Sequence, residues 1–183
     1  MLLPQTKNAS SKHPNKYELF DDAFNFSDMM KFHEFFVTNT LYRIGWQDRE
    51  DTKNRSYMHS HYSLEDMKNL EFIDRIKSPK LLELINGRIP TEIVINVTNP
   101  CYVFYPHVHH NHDSLVYYAN LEWPQDWAGE TMIYEDDGVN ILTCMPFRPG
   151  RVLWLKNQVV HALRPPSVIA DVHRITLSCF FEN

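Results

Sequence analysis

The sequence lacks any long hydrophobic run. No apolar stretch approaches the roughly 20 residues that a helix needs to cross a membrane. The first residues, MLLPQTKNASSKHPNK, also lack the apolar segment of a secretory signal peptide. These absences predict a cytoplasmic protein with no membrane partner.

Clustered positive charge is absent as well. The 183 residues carry a formal net charge of -5, and no Lys/Arg run is long enough to suggest a nucleic-acid footprint. Cysteine is sparse, since the chain has only Cys101, Cys144 and Cys179. They are odd in number and form no CxxC pair. This usage predicts reduced, buried thiols. Nucleic acid is therefore not favoured as a partner, and the oligomeric state stays open.

Motifs for nucleophilic catalysis are also missing, since no serine lies in a nucleophile elbow and no cysteine lies beside a candidate base. The chain does contain the material for a core. Hydrophobic residues make up 43% and aromatic residues 13% of the sequence. This composition predicts one folded domain over residues 1–183.

The chain divides into a polar arm at residues 1–16, a helical support at 17–90 and a β-rich core at 91–183. Serine caps predict the helices of the support. These caps are Ser27, Ser63 with Asp66 as a capping-box partner, and Ser78 followed by Pro79 in SPKLLELING.

Beyond residue 90, short β-rich runs alternate with turn residues. The runs are TEIVINV, CYVFYPHVH, SLVYYANL, ETMIYE, VNILT, RVLWLK, VVHAL and RITLSCFF. Eight such strands imply an antiparallel sandwich or barrel. Helices placed before this barrel would cover one of its sheets.

Histidine is concentrated in HVHHNHD, residues 107–113, which holds four of the ten histidines. Residues i and i+2 of a strand share a face, so His107 and His109 can reach one metal ion. His110 and His112 form a second such pair, but we expect them in the turn before SLVYYANL. A chelating pair needs a third ligand, for which His161 is the candidate. The plain alternative is a solvated histidine-rich turn.

Three segments resemble the iron(II)/2-oxoglutarate-dependent dioxygenase superfamily, in its prolyl-hydroxylase-like form. LVYYANLEWPQDWAGETMIYEDD is close to the pattern YY-x-N-x-x-W, a loop, W-x-GGE and a strand. FRPGRVLWLKNQVVHAL resembles the later segment with the distal histidine, and HRITLSCFF resembles the last strand with its basic residue. The whole chain, including LYRIGW and INVTNP, resembles small stand-alone oxygenases encoded by bacteria and phages.

The resemblance implies a mainly β double-stranded β-helix, a jelly-roll similar to the cupins, with the N-terminal helices packed on one sheet. It implies His107 and His161 as iron ligands, but His109 occupies the family's aspartate position. Three interpretations follow: a three-histidine site with His109, a site in which Asp113 replaces the missing carboxylate, or a vacant position such as some family members use to bind halide.

The resemblance also assigns a 2-oxoglutarate pocket. Arg174 matches the cation that holds the distal carboxylate, and a guanidinium suits this role because it donates two charge-assisted hydrogen bonds. Tyr118 matches a tyrosine that contacts the cosubstrate, and Thr176 shares the face of Arg174. Asn96 and Tyr105 are weaker candidates for the rim. Residues 41–62 and the loop 124–128 are expected to cover the entrance.

The implied function is an Fe(II)- and 2-oxoglutarate-dependent oxygenase that also consumes O2. It would hydroxylate an unactivated C–H bond of a small polar molecule or an amino-acid side chain, with release of succinate and CO2. Two alternatives stay open: a three-histidine cupin-type dioxygenase that does not use 2-oxoglutarate, and a metal-free jelly-roll binding protein. Arg174 discriminates between the 2-oxoglutarate oxygenase and the cupin-type dioxygenase, because this arginine has no assigned role without the keto acid.

Overall fold

The computed structural model describes residues 16–44, 58–102 and 104–183, so that most of the predicted polar arm lies outside the described residues. Within these residues, ten strands form two antiparallel sheets, and three α-helices accompany them. The elements are β1 Tyr17–Phe20, α1 Phe26–Thr38, β2 Arg43–Ile44, β3 Met58–His61, α2 Leu64–Leu70, α3 Pro79–Ile85, β4 Glu92–Thr98, β5 His112–Tyr118, a 3-10 turn Gln125–Trp127, β6 Thr131–Tyr134, β7 Ile141–Met145, β8 Val152–Leu155, β9 His161–Leu163 and β10 Arg174–Glu182.

Local capping sets two of the helix starts, as predicted. The Ser63 Oγ accepts a hydrogen bond from the Asp66 amide at 3.1 Å, and the Asp66 carboxylate accepts one from the Ser63 amide at 2.8 Å. Ser78 caps α3. The prediction for α1 is wrong by two residues, because Asn25 rather than Ser27 occupies the N-cap with extended backbone.

The main sheet has the order β1-β8-β5-β10-β4-β3-β2, and the smaller sheet has the order β7-β6-β9. Three strands of the main sheet come from the region predicted to be helical. Conversely, CYVFYPHVH forms no strand in its described residues, where His107 makes only an isolated bridge to His161. Pro106 has no amide to donate, which removes one ladder hydrogen bond from this run.

The helices pack on one face of the main sheet, which confirms the predicted arrangement. Phe32 and Phe36 of α1 and Phe72 after α2 are fully buried against sheet residues such as Tyr117 and Leu177. A second apolar cluster, which includes Ile133, Leu153 and Leu155, lies elsewhere in the sandwich. No helix in residues 16–44, 58–102 or 104–183 is long and apolar enough to span a membrane.

The prediction of three buried thiols holds for only one cysteine. Cys179 is buried in the core beneath the helices, whereas Cys101 and Cys144 are exposed. Cys144 lies on β7, an edge strand of the smaller sheet, and Cys101 lies in the loop after β4. No disulfide joins any of the three.

Candidate active site

A cavity of about 530 Å³ is lined by residues from both sheets. Because successive side chains of a strand point to opposite faces, β10 presents alternate residues to this cavity. They are Arg174, Thr176, Ser178 and Phe180. The facing residues of β4 and β5 include Asn96, Val94, Ser114 and Val116, which pair with them across the ladder or lie beside them.

Three histidines converge at this cavity. The backbones of His107 and His161 exchange two hydrogen bonds of 3.0 Å, which hold the two chain segments side by side. One ligand nitrogen each of His107, His109 and His161 lies within 4.8 Å of the others. The His109 ring also packs on Phe180, with the ring centroids 4.6 Å apart. The geometry therefore brings together the three histidines that the sequence nominated.

Backbone carbonyls define the tautomer of two of these rings. The Nδ1 of His107 lies 3.0 Å from the Tyr105 carbonyl oxygen, and the Nδ1 of His161 lies 2.9 Å from the Val159 carbonyl oxygen. A carbonyl only accepts, so each Nδ1 carries a proton, and in the neutral form of each ring Nε2 keeps the lone pair that binds a metal.

Burial keeps His161 neutral. Loss of solvent, followed by repulsion from His107, lowers the pKa of His161 to about 3, and the hydrogen bond to Val159 offsets only part of this effect. A neutral imidazole is the form that binds a metal. Three imidazole nitrogens suit iron(II) among other divalent transition metals, so the donor set fits the group that the resemblance implies.

Asp113 lies apart from this group. It occupies the face of β5 that also carries Leu115 and Tyr117, which belong to the core beneath the helices. Its carboxylate accepts hydrogen bonds from Arg88 at 3.0 Å and from the Asn157 backbone amide at 2.9 Å.

The expected location of His112 in a turn is wrong, because this residue begins β5.

Arg174 is a buried cation in the same cavity, with 4% of its surface exposed. Its Nε donates to the Gly129 carbonyl oxygen at 2.9 Å, and its guanidinium stacks over the rings of Tyr118 and Phe147 at 5.3 and 5.1 Å. Among the residues that the structure describes, no carboxylate forms a close ion pair with it, although the charge of Glu130, which pairs with Arg164, acts on it from a greater distance. Burial lowers the pKa of Arg174 to about 10, which still leaves it charged at neutral pH.

Hydroxyl groups surround this guanidinium. Its Nη2 lies 3.3 Å from the Thr131 Oγ1 and its Nη1 lies 3.5 Å from the Thr176 Oγ1. The Tyr118 hydroxyl lies 2.8 Å from the same Thr131 oxygen, and burial raises the pKa of Tyr118. Sequence reasoning missed Thr131, which begins β6 opposite Leu163 and directly follows the loop whose Gly129 contacts Arg174.

Gly129 allows the close approach of this loop. An added Cβ would lie 3.2 Å from Trp123 and 3.3 Å from Arg174, and the backbone φ of +82° also favours glycine. Trp123 fixes the loop from the other side, because its indole donates to the Ala128 carbonyl oxygen at 2.8 Å.

The weaker candidates have mixed placements. Asn96 and Tyr105 line the cavity, as expected for its rim. Trp127 is half-buried and packs edge-on against Trp123. Of the expected cover at residues 41–62, positions 45–57 lie outside the described residues.

No protein-family model and no curated protein matches the chain, but solved structures do. A prolyl hydroxylase from Trichoplax adhaerens, solved with a peptide fragment of the hypoxia inducible factor oxygen degradation domain, gives a TM-score of 0.67 at 13% identity over 93% of this chain and 84% of that one. The viral collagen prolyl hydroxylase of Paramecium Bursaria Chlorella virus-1, solved as a 2OG complex, gives a TM-score of 0.63 at 12% identity. This match covers 91% of this chain and 96% of that one.

A third match widens the range of chemistry found on this fold. The α-ketoglutarate-dependent carbocyclase SnoK from nogalamycin biosynthesis gives a TM-score of 0.65 at 13% identity over 93% of this chain and 81% of that one. Similarity at this level of identity establishes architecture. The chain has the jelly-roll fold of the iron(II)/2-oxoglutarate oxygenases, as its sequence resemblance implied.

Proposed function

We propose that this protein is an Fe(II)- and 2-oxoglutarate-dependent oxygenase that hydroxylates an unactivated C–H bond and releases succinate and CO2. One observation carries the proposal. A cavity of the size of a small-molecule site holds a three-histidine group and a buried guanidinium that forms no close ion pair among the described residues. A buried charge is costly unless it is closely paired, so an anion that binds beside Arg174 would be stabilised there.

In this proposal His107, His109 and His161 hold the iron through imidazole nitrogens. All three ligands are neutral, in contrast to the two-histidine, one-carboxylate set of the resembling family. Such a set of ligands would add no negative charge to the metal centre. The keto-acid end of 2-oxoglutarate would supply the negative charge that the protein does not.

Arg174 would hold the other end of the cosubstrate. A guanidinium presents donors in a planar fork that matches a carboxylate. Its Nε donates to the Gly129 carbonyl oxygen, whereas the contacts of Nη1 to Thr176 and of Nη2 to Thr131 are long, at 3.5 and 3.3 Å. Tyr118 and Thr176 would complete the pocket with hydroxyl groups.

Bound iron, together with 2-oxoglutarate and O2, supplies the oxidising chemistry. The chain's own contribution is to orient the two carboxylate ends, to keep His161 neutral and to exclude water from the buried part of the cavity. The proposed substrate is a small polar molecule or an amino-acid side chain. The polar lining beyond the histidines, which includes Glu92, Asn96 and Ser114, is consistent with this class.

Anaerobic titration of the Fe(II)-loaded protein with 2-oxoglutarate tests the proposal. Chelation of iron by the keto acid would produce a weak visible charge-transfer band. We expect this band in the wild type, its loss in His109→Ala and its retention in His110→Ala, a matched control because His110 is exposed in the adjacent turn. Iron binding without a band would contradict the use of 2-oxoglutarate.

The second candidate is a three-histidine dioxygenase that does not use 2-oxoglutarate. The neutral donor set favours it, since such a site needs no carboxylate ligand. This function would be identified by iron binding without the charge-transfer band, together with O2 consumption that does not depend on added 2-oxoglutarate. Absence of iron binding would leave a metal-free binding protein.

A further inference from the structure

The candidate iron ligands come from two separate loops. His107 and His109 lie in the segment before β5, whereas His161 begins β9 after the loop 156–160. A metal site of three side chains keeps its affinity only if the protein holds both loops in register. Backbone contacts provide part of this hold, including a bond of 3.4 Å from the Gln158 amide to the His109 carbonyl oxygen.

Asp113 and Asn157 provide a second connection. The Asp113 Oδ1 accepts a hydrogen bond of 2.9 Å from the Asn157 amide, four residues before His161. The Asn157 side chain then accepts a bond of 3.0 Å from the amide of Asn111, two residues after His109. Asn111 has a left-handed φ of 63°, and its backbone groups are fixed on both sides, because its carbonyl oxygen also accepts from the Asn183 amide at 3.1 Å.

Arg88 fixes Asp113 from the helical layer. It donates to the Asp113 Oδ2 at 3.0 Å and to the Leu84 carbonyl oxygen of α3 at 2.8 Å. The guanidinium also stacks over the rings of Trp154 and Phe181 at 5.5 and 5.7 Å. The Asp113 side chain is 15% exposed, so this ion pair is largely shielded from solvent.

We propose that Asp113 is a positioning residue that clamps the two ligand loops together, although it does not itself bind the metal. The inference rests on the proposed three-histidine site. It assigns a role to a carboxylate that lies next to the histidine cluster in sequence but on the opposite face of β5. The clamp consists of Arg88, Asp113, Asn157 and Asn111.

Metal binding to the full chain tests the clamp without any turnover. We would measure Ni(II) affinity by calorimetry, and the visible spectrum of the Co(II)-loaded protein, for Asp113→Ala and Asn157→Ala. Both should bind Ni(II) at least about tenfold more weakly than the wild type, as loss of outer partners typically does at metal sites. The Co(II) spectrum should change because the ligands lose their geometry.

Asp28→Ala is the matched control. Asp28 is a buried carboxylate of α1 that pairs with Arg75 at 2.5 Å, so the variant also loses a carboxylate–arginine pair. It should lower the melting temperature and leave Ni(II) affinity unchanged. Asp113→Asn, which keeps an oxygen acceptor for Asn157, serves if Asp113→Ala does not fold, and should show a smaller loss.

The outcomes separate the clamp from the proposed function. Unchanged affinity in the Asp113 and Asn157 variants, with a wild type that binds Ni(II), would overturn the clamp alone. Weaker binding in the Asp113 variants but not in Asn157→Ala would overturn the clamp, because the Asn157 side chain would then play no part in holding the two loops together. A wild type that does not bind Ni(II) would overturn the three-histidine site itself.

Discussion

The side chains on the two faces of β10 are equally buried but lie in different surroundings. Ile175, Leu177 and Phe181 point to the helices and are packed among apolar side chains. Arg174 and Thr176 point to the cavity and are just as buried, but their neighbours are hydroxyl groups and aromatic ring faces. One strand thus serves the core with alternate residues and the candidate site with the others. Burial alone therefore does not distinguish a residue that stabilises from one that binds.

The largest expected effect is on the helix face. Leu177→Ala removes a side chain with no exposed surface and should lower the free energy of unfolding by about 2–5 kcal/mol, because the lost packing leaves a cavity. Urea unfolding monitored by fluorescence measures this change. Ser178→Ala, on the next residue and the opposite face, is the control. Equal losses of unfolding free energy in both variants would contradict the distinction between the two faces.

The next effect lies on the cavity face. Arg174→Met keeps a long apolar stem but removes the charge. We expect 2-oxoglutarate affinity to fall at least about 100-fold, since two charge-assisted hydrogen bonds contribute roughly 1.5–3 kcal/mol each. The free energy of unfolding should fall by no more than about 1 kcal/mol, because a buried charge without a close ion pair is itself unfavourable.

The titration of the iron-loaded protein and urea unfolding measure these two quantities for Arg174→Met. Arg164→Met is the matched control, since Arg164 is exposed and pairs with Glu130 at 3.1 Å. It should change neither quantity by much. A large loss of stability with full cosubstrate affinity would show that Arg174 is a structural residue.

A smaller effect should follow Tyr118→Phe. The variant keeps the ring stacked on Phe147 and loses the hydroxyl that contacts Thr131 at 2.8 Å. We expect a loss of about 1 kcal/mol in the free energy of unfolding, and a few-fold weaker 2-oxoglutarate binding. Tyr117→Phe, on the helix face, should leave 2-oxoglutarate binding unaltered, and a shift there would contradict the assignment by face.

The smallest effect is expected at Ser178→Ala. Ser178 lines the cavity between Thr176 and Phe180, and we expect its loss to change the free energy of unfolding by less than about 0.5 kcal/mol. The Co(II) spectrum should also be unchanged, because Ser178 is not among the three histidines proposed to bind the metal. A spectral change would place Ser178 closer to the metal than we infer.

Local chemistry explains what the sequence predicted well. The cap at Ser63, the proline at the start of α3 and the alternation along RITLSCFF depend on neighbours within a few residues, so that they can be read without a fold. The nomination of His107, His161 and Arg174 was possible because their types and order resemble a family pattern, whereas His109 was nominated from its i, i+2 spacing to His107. Their roles as ligands and anchor stay predictions.

Tertiary structure decided the rest, for reasons of pairing and direction. β1, β2 and β3 are too short to show a pattern, and they become strands because β8 and β4 offer them ladder partners. Asp113 lies six residues from His107 in sequence, yet the pleat of β5 turns it toward Arg88. The sequence by itself determined which residues could do chemistry, and only the folded sheet determined which of them face the same cavity.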